Sequence, residues 1–251
     1  MLAKRNRVLI FGAGVIGSAY TIKLIEAGID VTIFARSARL KALQEKGLQY
    51  NEKGTVKSIK VNVIATLEND DVYDFIFVPV RYDQSEAALL ALKDNQSKII
   101  ITMTNNSAGF STWLDIIGDR FLPAFPGCGG QMKDGVLYAR FPPKALAVTR
   151  FGEISGLETE RTRSFTKFLE TANLSYKIDN DMQSFLVTHS VSDIAMTGIL
   201  VQDNKIIDEK TLTSKKTARK ITATLKTYIG ALQKAGVTIN PSFVKRNNRP
   251  N

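Results

Sequence analysis

Three glycines close to the start of the chain leave it few folds to choose from. Gly12, Gly14 and Gly17 stand in the run Gly12-Ala13-Gly14-Val15-Ile16-Gly17, directly after Val8-Leu9-Ile10-Phe11. The four apolar residues read as a strand buried on both faces. The residues after the glycines have helical spacing (Ile16, Tyr20, Leu24) and stop at Gly28, the type of residue that ends a helix. Val31-Thr32-Ile33-Phe34 is then a second strand. A strand–helix–strand unit of this kind makes its two strands parallel neighbours. In that setting Gly-x-Gly-x-x-Gly is a dinucleotide-binding signature. Gly12 permits the tight turn, Gly14 lets backbone N–H groups approach a pyrophosphate, and Gly17 lets helix and strand close up. Ala13, Val15 and Ile16 belong to the same candidate cofactor site, and the helix adds its positive end. The alternative is a glycine-rich turn that holds nothing.

The end of the second strand speaks to which dinucleotide. An NAD site usually has Asp or Glu there, about 20 residues beyond the glycines, on the ribose 2′-hydroxyl. This chain has Phe34-Ala35-Arg36-Ser37 and no acid. A guanidinium at Arg36 can pair with a 2′-phosphate, and Ser37 can add a hydroxyl. The expected cofactor is NADP(H), unless Arg36 is merely a solvated residue.

Further along, Ala38 to Lys46 is a short helix, and residues 48 to 66 alternate around Gly54 as a hairpin or short strands at the sheet edge. Phe75 to Val80 and Lys98 to Met103 are strands, with a helix from Ser85 to Leu92 between them. The Pro- and Gly-rich stretch from Phe121 to Gly130 is expected to be irregular. Val136 to Arg140, Ala145 to Thr149 and Leu174 to Ile178 read as strands, and Glu158 to Ala172 as a helix. Strands then stop: Asp181 to Val201 and Thr211 to Ala235 are long helices, and the end of the chain from Asn240-Pro241 reads as a frayed tail. The expected fold class is α/β, a Rossmann-type doubly wound parallel sheet with a second, smaller all-helical domain. The expected division is residues 1–180 for the dinucleotide-binding domain and 181–251 for a helical substrate or dimerisation domain.

Composition narrows the function classes. In 251 residues, 44% apolar and 23% charged is globular, not disordered. The run from Phe185 to Val201 is broken by Thr188, His189, Ser190, Ser192 and Asp193, so no membrane span is expected. The start of the chain enters a strand directly, so no secretory leader is expected either. The lone Cys128 argues for a reducing cytoplasm. One Cys and one His make no usual zinc set, so no metal is expected. Of the net charge of +10, nearly all lies from Lys205 onward. That segment suits an anionic small molecule or a solvated helix face. Its few aromatics (Tyr228, Phe243) argue against single-stranded nucleic acid.

With these residues in view, the chain resembles the ketopantoate reductase (2-dehydropantoate 2-reductase) family. The opening glycines with Arg36 carry the resemblance first. Val78-Pro79-Val80-Arg81-Tyr82-Asp83-Gln84 is similar to the family's Val-x-Val-Lys-x-x-Gln, and Asn105-Asn106-Ser107-Ala108-Gly109 to its Asn-Gly-x-Gly loop. Ala235-Gly236-Val237-Thr238-Ile239-Asn240-Pro241 is similar to its late Gly-Ile-x-x-Pro. The resemblance covers roughly residues 7 to 241. It implies NADPH-dependent reduction of a small anionic 2-oxo acid, 2-dehydropantoate to pantoate, within pantothenate biosynthesis, and leaves a homodimer open. It places Arg81 and Gln84 near the cofactor and Asn106 beside the nicotinamide and the substrate carbonyl. Simple turn chemistry is the other reading of both asparagines.

The second half departs from the pattern. The family's Lys-x3-Asn-x3-Asn, one face of a helix, falls here on Phe185, His189 and Asp193. Carbonyl reduction needs a proton donor at the developing alkoxide, and Phe185 has none to give. His189 is the candidate donor, since imidazole titrates near neutral pH. Lys220 would hold the substrate carboxylate, and His189 and Asp193 would line the substrate site. The alternative is a non-catalytic NADP(H)-binding or sensor protein that has lost the family lysine. The chain also ends earlier than the family does. Cys128 reads as a small residue of the cofactor site rather than a nucleophile.

Overall fold

The computed structural model describes residues 6–143, 148–203, 211 and 214–241. The chain divides into two compact units. One comprises Met1–Thr104 and Phe110–Asn180, the other Asn105–Gly109 and Asp181–Asn251.

The first unit is built on eight strands in the order β12-β11-β8-β7-β6-β1-β2-β5. β1 (Arg7–Phe11) pairs in parallel with β2 (Asp30–Phe34) on one side and β6 (Phe75–Val78) on the other. β7 (Ile100–Met103) and β8 (Phe121–Phe125) extend the sheet in parallel beyond β6. The antiparallel entrant is β11 (Thr149–Phe151), which pairs in parallel with β12 (Tyr176–Ile178). Val8, Leu9 and Ile10 are fully buried, as is every residue of β6. Both faces of these central strands are covered, which is why they read as continuous apolar runs. The chain winds from β1 to β2 and then returns to β6 on the other side. The carboxyl ends of β1 and β6 therefore flank the switch point where doubly wound sheets take their ligands.

α1 (Val15–Glu26) runs from the first strand to the second and is buried almost all round. It packs against a second sheet of order β4-β3-β10-β9 as well as on the first. This changes the expectation for residues 48 to 66. Only β5 (Asn62–Ile64) lies at the edge of the main sheet, beside β2. The hairpin of β3 (Leu48–Glu52) and β4 (Thr55–Ile59) joins β9 (Gly129–Lys133) and β10 (Val136–Arg140) instead.

Of the stretch from Phe121 to Gly130 only residues 126–128 are irregular. Phe121, Leu122 and Ala124 are fully buried in β8, and Pro123 sits opposite Thr102 with its carbonyl accepting from the Gly152 N–H. Burial decides the conformation there, and the lost N–H of one proline is tolerated. Two of its glycines answer to close approach: a Cβ on Gly127 would meet the Thr149 nitrogen at 2.5 Å, and one on Gly130 the Tyr138 carbonyl oxygen at 2.3 Å. The strand expected at Ala145 to Thr149 lies partly outside the described residues, and β11 starts at Thr149. α2 (Ser37–Lys46), α3 (Tyr82–Ala91), α4 (Ser111–Ile117) and α5 (Glu160–Thr171) complete the unit.

The second unit pairs two helices, α6 (Met182–Gln202) and α7 (Lys215–Lys234). Asp181 caps α6 by accepting from Ser184 N–H at 3.0 Å, and Ser214 caps α7 through Thr217 N–H. By length and composition alone α6 is apolar enough to cross a membrane, contrary to the expectation from its polar residues. It packs along α7, with Phe185, Leu186, Thr188 and Ala195 buried on α6 and Ile229 on α7. The basic residues Lys205, Lys210, Lys245, Arg246 and Arg249, and the tail from residue 242, lie outside the described residues.

Candidate functional site

The glycine loop leaves β1 at Phe11 and becomes α1 at Val15. Gly12 has φ +136°, a conformation L side chains rarely adopt, and a Cβ there would stand 3.0 Å from Val80 Cγ1. A Cβ on Gly17 would meet the Gly12 carbonyl oxygen at 2.0 Å and Pro79 Cγ at 3.0 Å. Gly14 is different: nothing lies within 4 Å of where its Cβ would be. It is the N-cap of α1, no side chain caps the helix, and the first turn holds no acid. The first N–H groups of α1 therefore present an uncompensated positive end beside open space. Tight turn, open approach and close packing fall on Gly12, Gly14 and Gly17 in the order of a dinucleotide-binding glycine loop. The Ala13 carbonyl is held from behind by Ser18 Oγ at 3.3 Å and by Arg39 Nε at 3.1 Å. Neither residue stood out in the sequence, although Arg36 and Arg39 share the i, i+3 spacing of one helix face.

At the end of β2, Phe34 stacks on Phe11 with ring centroids 4.2 Å apart, and Ala35 is buried. Arg36 follows as the exposed N-cap of α2, its guanidinium 5.8 Å from the Phe34 ring. Ser37 has φ +51°, so the chain turns sharply where the strand releases it. Arg36 is thus a solvent-facing cation at a strand's carboxyl end.

At the end of β6, Arg81 caps α3 in extended backbone and forks onto Asp83 at 3.0 and 2.7 Å, both side chains well exposed. Each raises the other's charged form: the Asp83 carboxyl is held below its usual range and the Arg81 guanidinium above. Gln84 is exposed, with its N–H on the Arg81 carbonyl at 2.9 Å.

The second unit holds the candidate catalytic groups. Asn106 is 1% exposed, and both of its amide atoms serve its own loop. Its Nδ2 donates to the Gly109 carbonyl at 2.7 Å, and its Oδ1 accepts from Ala108 N–H at 2.9 Å. Asn105 reaches α6 instead, donating from Nδ2 to Asp193 Oδ2 at 2.9 Å. Its Oδ1 is buried with no hydrogen-bond partner among the described residues. His189 Nε2 lies 3.5 Å from the same Asp193 oxygen, one turn away on α6. The imidazole stacks on Phe185, itself buried, at 5.6 Å. Asn105, Asp193 and His189 therefore form one polar group, with Phe185 as its apolar floor.

Lys220 is not part of this group. It pairs at 2.5 Å with Asp203, the C-cap of α6. Asp203 is 14 residues beyond His189, about 21 Å along the helix at 1.5 Å per residue. Burial pushes the Cys128 thiol up to about 12, which disfavours the nucleophilic thiolate.

A doubly wound sheet with a glycine turn at its switch point is the architecture of dinucleotide-binding domains. Residues 8–116 match the family described as ketopantoate reductase PanE/ApbA. Over these residues the chain is similar to the ketopantoate reductase family. A 2-dehydropantoate 2-reductase of Mesorhizobium japonicum is 28% identical over 204 residues, 71% of this chain and 61% of that protein. One of Archaeoglobus fulgidus is 25% identical over 194 residues, 77% of this chain and 63% of that protein. The chain thus spans about three-fifths of the length of the curated relatives it matches. The crystal structure of 2-dehydropantoate 2-reductase from Geobacter metallireducens GS-15 superposes with a TM-score of 0.73 at 16% identity, covering 96% of this chain and 81% of that one.

Proposed function

We propose that the protein reduces a small 2-oxo acid with NADPH, and that 2-dehydropantoate, the substrate named for its relatives, is the first to test. The observation that carries this reading is the division of labour among the glycines, open at Gly14 and closed at Gly12 and Gly17, with Arg36 where an NAD site would want an acid. In this reading the backbone of residues 12–17 holds the diphosphate, and Arg36 pairs with the 2′-phosphate. Arg81 and Gln84 sit at the next strand end, with Arg81 exchanging Asp83 for the dinucleotide. NADPH supplies a hydride when bound.

The chain's own residues supply position and a proton. Asp193 Oδ2, 3.5 Å from His189 Nε2, would hold the imidazole in one orientation. Asn105 anchors Asp193, and Asn106 keeps the 105–109 loop in shape. The protonated imidazole of His189 would give its proton to the oxygen of the reduced carbonyl. The family's lysine donor has no counterpart at Phe185, and the burial of that side chain favours a second reading, a protein that binds NADP(H) without turnover.

One experiment separates the two: NADPH consumption with a panel of 2-oxo acids, beside a binding titration, for wild type and His189→Ala. Turnover in wild type that falls at least a hundredfold in the variant supports the enzyme with His189 as donor. Tight binding with no consumption supports the binding protein. Unchanged turnover in the variant removes His189 from the mechanism. A homodimer is a further expectation, tested by sedimentation.

A further inference from the structure

Arg39 lies one turn beyond Arg36 on α2, and its guanidinium turns back beneath the glycine loop. Nε donates to the Ala13 carbonyl at 3.1 Å, Nη2 to Ser18 Oγ at 3.2 Å, and Nη1 to the Gly135 carbonyl at 3.4 Å. Ser18 Oγ donates to the same Ala13 oxygen at 3.3 Å, which closes a triangle around one peptide group. Ser18 is fully buried and Arg39 half-buried. Burial lowers the pKa of the guanidinium, and no carboxylate among the described residues pairs with it. A cation held in this way, among carbonyl and hydroxyl oxygens only, leaves its charge uncancelled beside the loop.

The consequence follows from peptide geometry. The Ala13 carbonyl and the Gly14 N–H belong to one planar trans peptide and point in opposite directions. Holding the oxygen from behind turns the N–H outward, on the side where Gly14 leaves open space. A charge-assisted hydrogen bond to that oxygen also polarises the peptide and makes its N–H a stronger donor. We propose that Arg39 is a positioning residue which, with Ser18, fixes and polarises the 13–14 peptide so that the loop grips the diphosphate of a dinucleotide. The inference rests on the cofactor reading above. It gives the two arginines of α2 different tasks. Arg36 reads the 2′-phosphate, which only NADPH carries. Arg39 acts on the diphosphate, which NADPH and NADH share.

The test titrates wild type, Arg39→Met, Arg39→Lys and Arg36→Ala with both dinucleotides at low and high salt. Thermal melts and amide hydrogen exchange over residues 12–18 are recorded without dinucleotide. Arg39→Met should weaken NADPH and NADH alike, by about tenfold, and flatten the salt dependence of binding. It should also speed exchange of the loop amides. Arg39→Lys should fall between Met and wild type, while Arg36→Ala should weaken NADPH alone. If Arg39→Met melts below the assay temperature, Ser18→Ala removes one corner of the same triangle and should weaken both dinucleotides by a smaller common factor. Affinities of Arg39→Met within twofold of wild type for both, with loop exchange unchanged, would overturn the inference and leave the cofactor reading standing. A loss confined to NADPH would also overturn it, since Arg39 would then be a reader of the 2′-phosphate. Wild-type protein that bound neither dinucleotide would remove the cofactor reading and this inference together.

Discussion

The carbonyl oxygen of Gly12 stands 2.0 Å from where a Cβ on Gly17 would be. Helix α1 can leave β1 at this angle only because residue 17 has no side chain. Gly17→Ala must push the helix away from the turn, and backbone is the atom it meets. Overpacking of this kind costs about 2 kcal/mol, so the melting temperature should fall by several degrees. Gly14→Ala meets nothing within 4 Å and should melt like wild type. Its methyl group stands in the approach to the loop N–H groups, so NADPH affinity should nevertheless drop. Calorimetry beside a titration checks the pair. A Gly17→Ala protein as stable as wild type would mean that the turn yields enough to admit a methyl group.

Asn105 and Asn106 are neighbours with separate tasks. Asn106→Ala removes both hydrogen bonds that close the 105–109 loop, within a buried residue. It should cost about 1–3 kcal/mol of stability. Asn105→Ala removes one bond to Asp193 and a buried oxygen that has no described partner. It should cost little stability, and its effect should appear in kcat for the 2-oxo acid. Denaturant melts and steady-state kinetics on the two variants separate the roles. The reverse pattern, with stability lost at Asn105 and kcat lost at Asn106, would restore the placement that the family's loop suggests.

Lys220 pairs with Asp203, and a structural role for it makes a prediction of its own. Asp203 ends α6, and an ammonium there also meets the negative end of the helix. The lysine side chain is 40% exposed, so screening keeps the pair's worth to about 1 kcal/mol or less. Lys220→Ala should therefore shift the melting point slightly and leave KM for a 2-oxo acid within twofold of wild type. A tenfold rise in KM at unchanged stability would return Lys220 to the substrate site.

What could be read from the chain and what could not follows from the range of each constraint. The demands on Gly12, Gly14 and Gly17 are set within one turn, and the apolar runs of β1 and β6 by burial on both faces. Both are visible in a dozen residues. The second sheet is a long-range fact. Its trace in the sequence is that α1 is apolar nearly all round, which one sheet alone does not require. Pro123 and Gly127 looked like breaks because local propensity cannot weigh the burial that overrides it. At the polar cluster, His189 and Asp193 follow from setting the chain against the family's Lys-x3-Asn-x3-Asn. Which of two adjacent asparagines faces them is a matter of loop geometry that no periodicity encodes. Arg39 leaves no charge pattern in the sequence because its partners are two carbonyls and a hydroxyl.

Glu153 links acid stability to one ion pair. It is 6% exposed and accepts from Arg161 Nε at 2.7 Å and from Thr159 Oγ1 at 2.5 Å. Burial alone would raise its pKa. The hydrogen bonds from Arg161 and Thr159, with the guanidinium charge, outweigh that and hold it below the usual 4.5. A carboxyl whose pKa is lower folded than unfolded stabilises the fold fully above its unfolded pKa, and the stabilisation is lost as pH falls through the folded value. Unfolding free energy should therefore be flat on this account at neutral pH and should decline below about pH 4.5. Arg161→Ala leaves the carboxylate buried without its cation and should cost about 3 kcal/mol at pH 7. The penalty should shrink toward pH 4 as Glu153 takes up a proton. Denaturant unfolding of both proteins between pH 3.5 and 7 measures this, and a penalty that did not change across that range would show that Arg161 acts through its carbonyl contact at Asp119 rather than through Glu153.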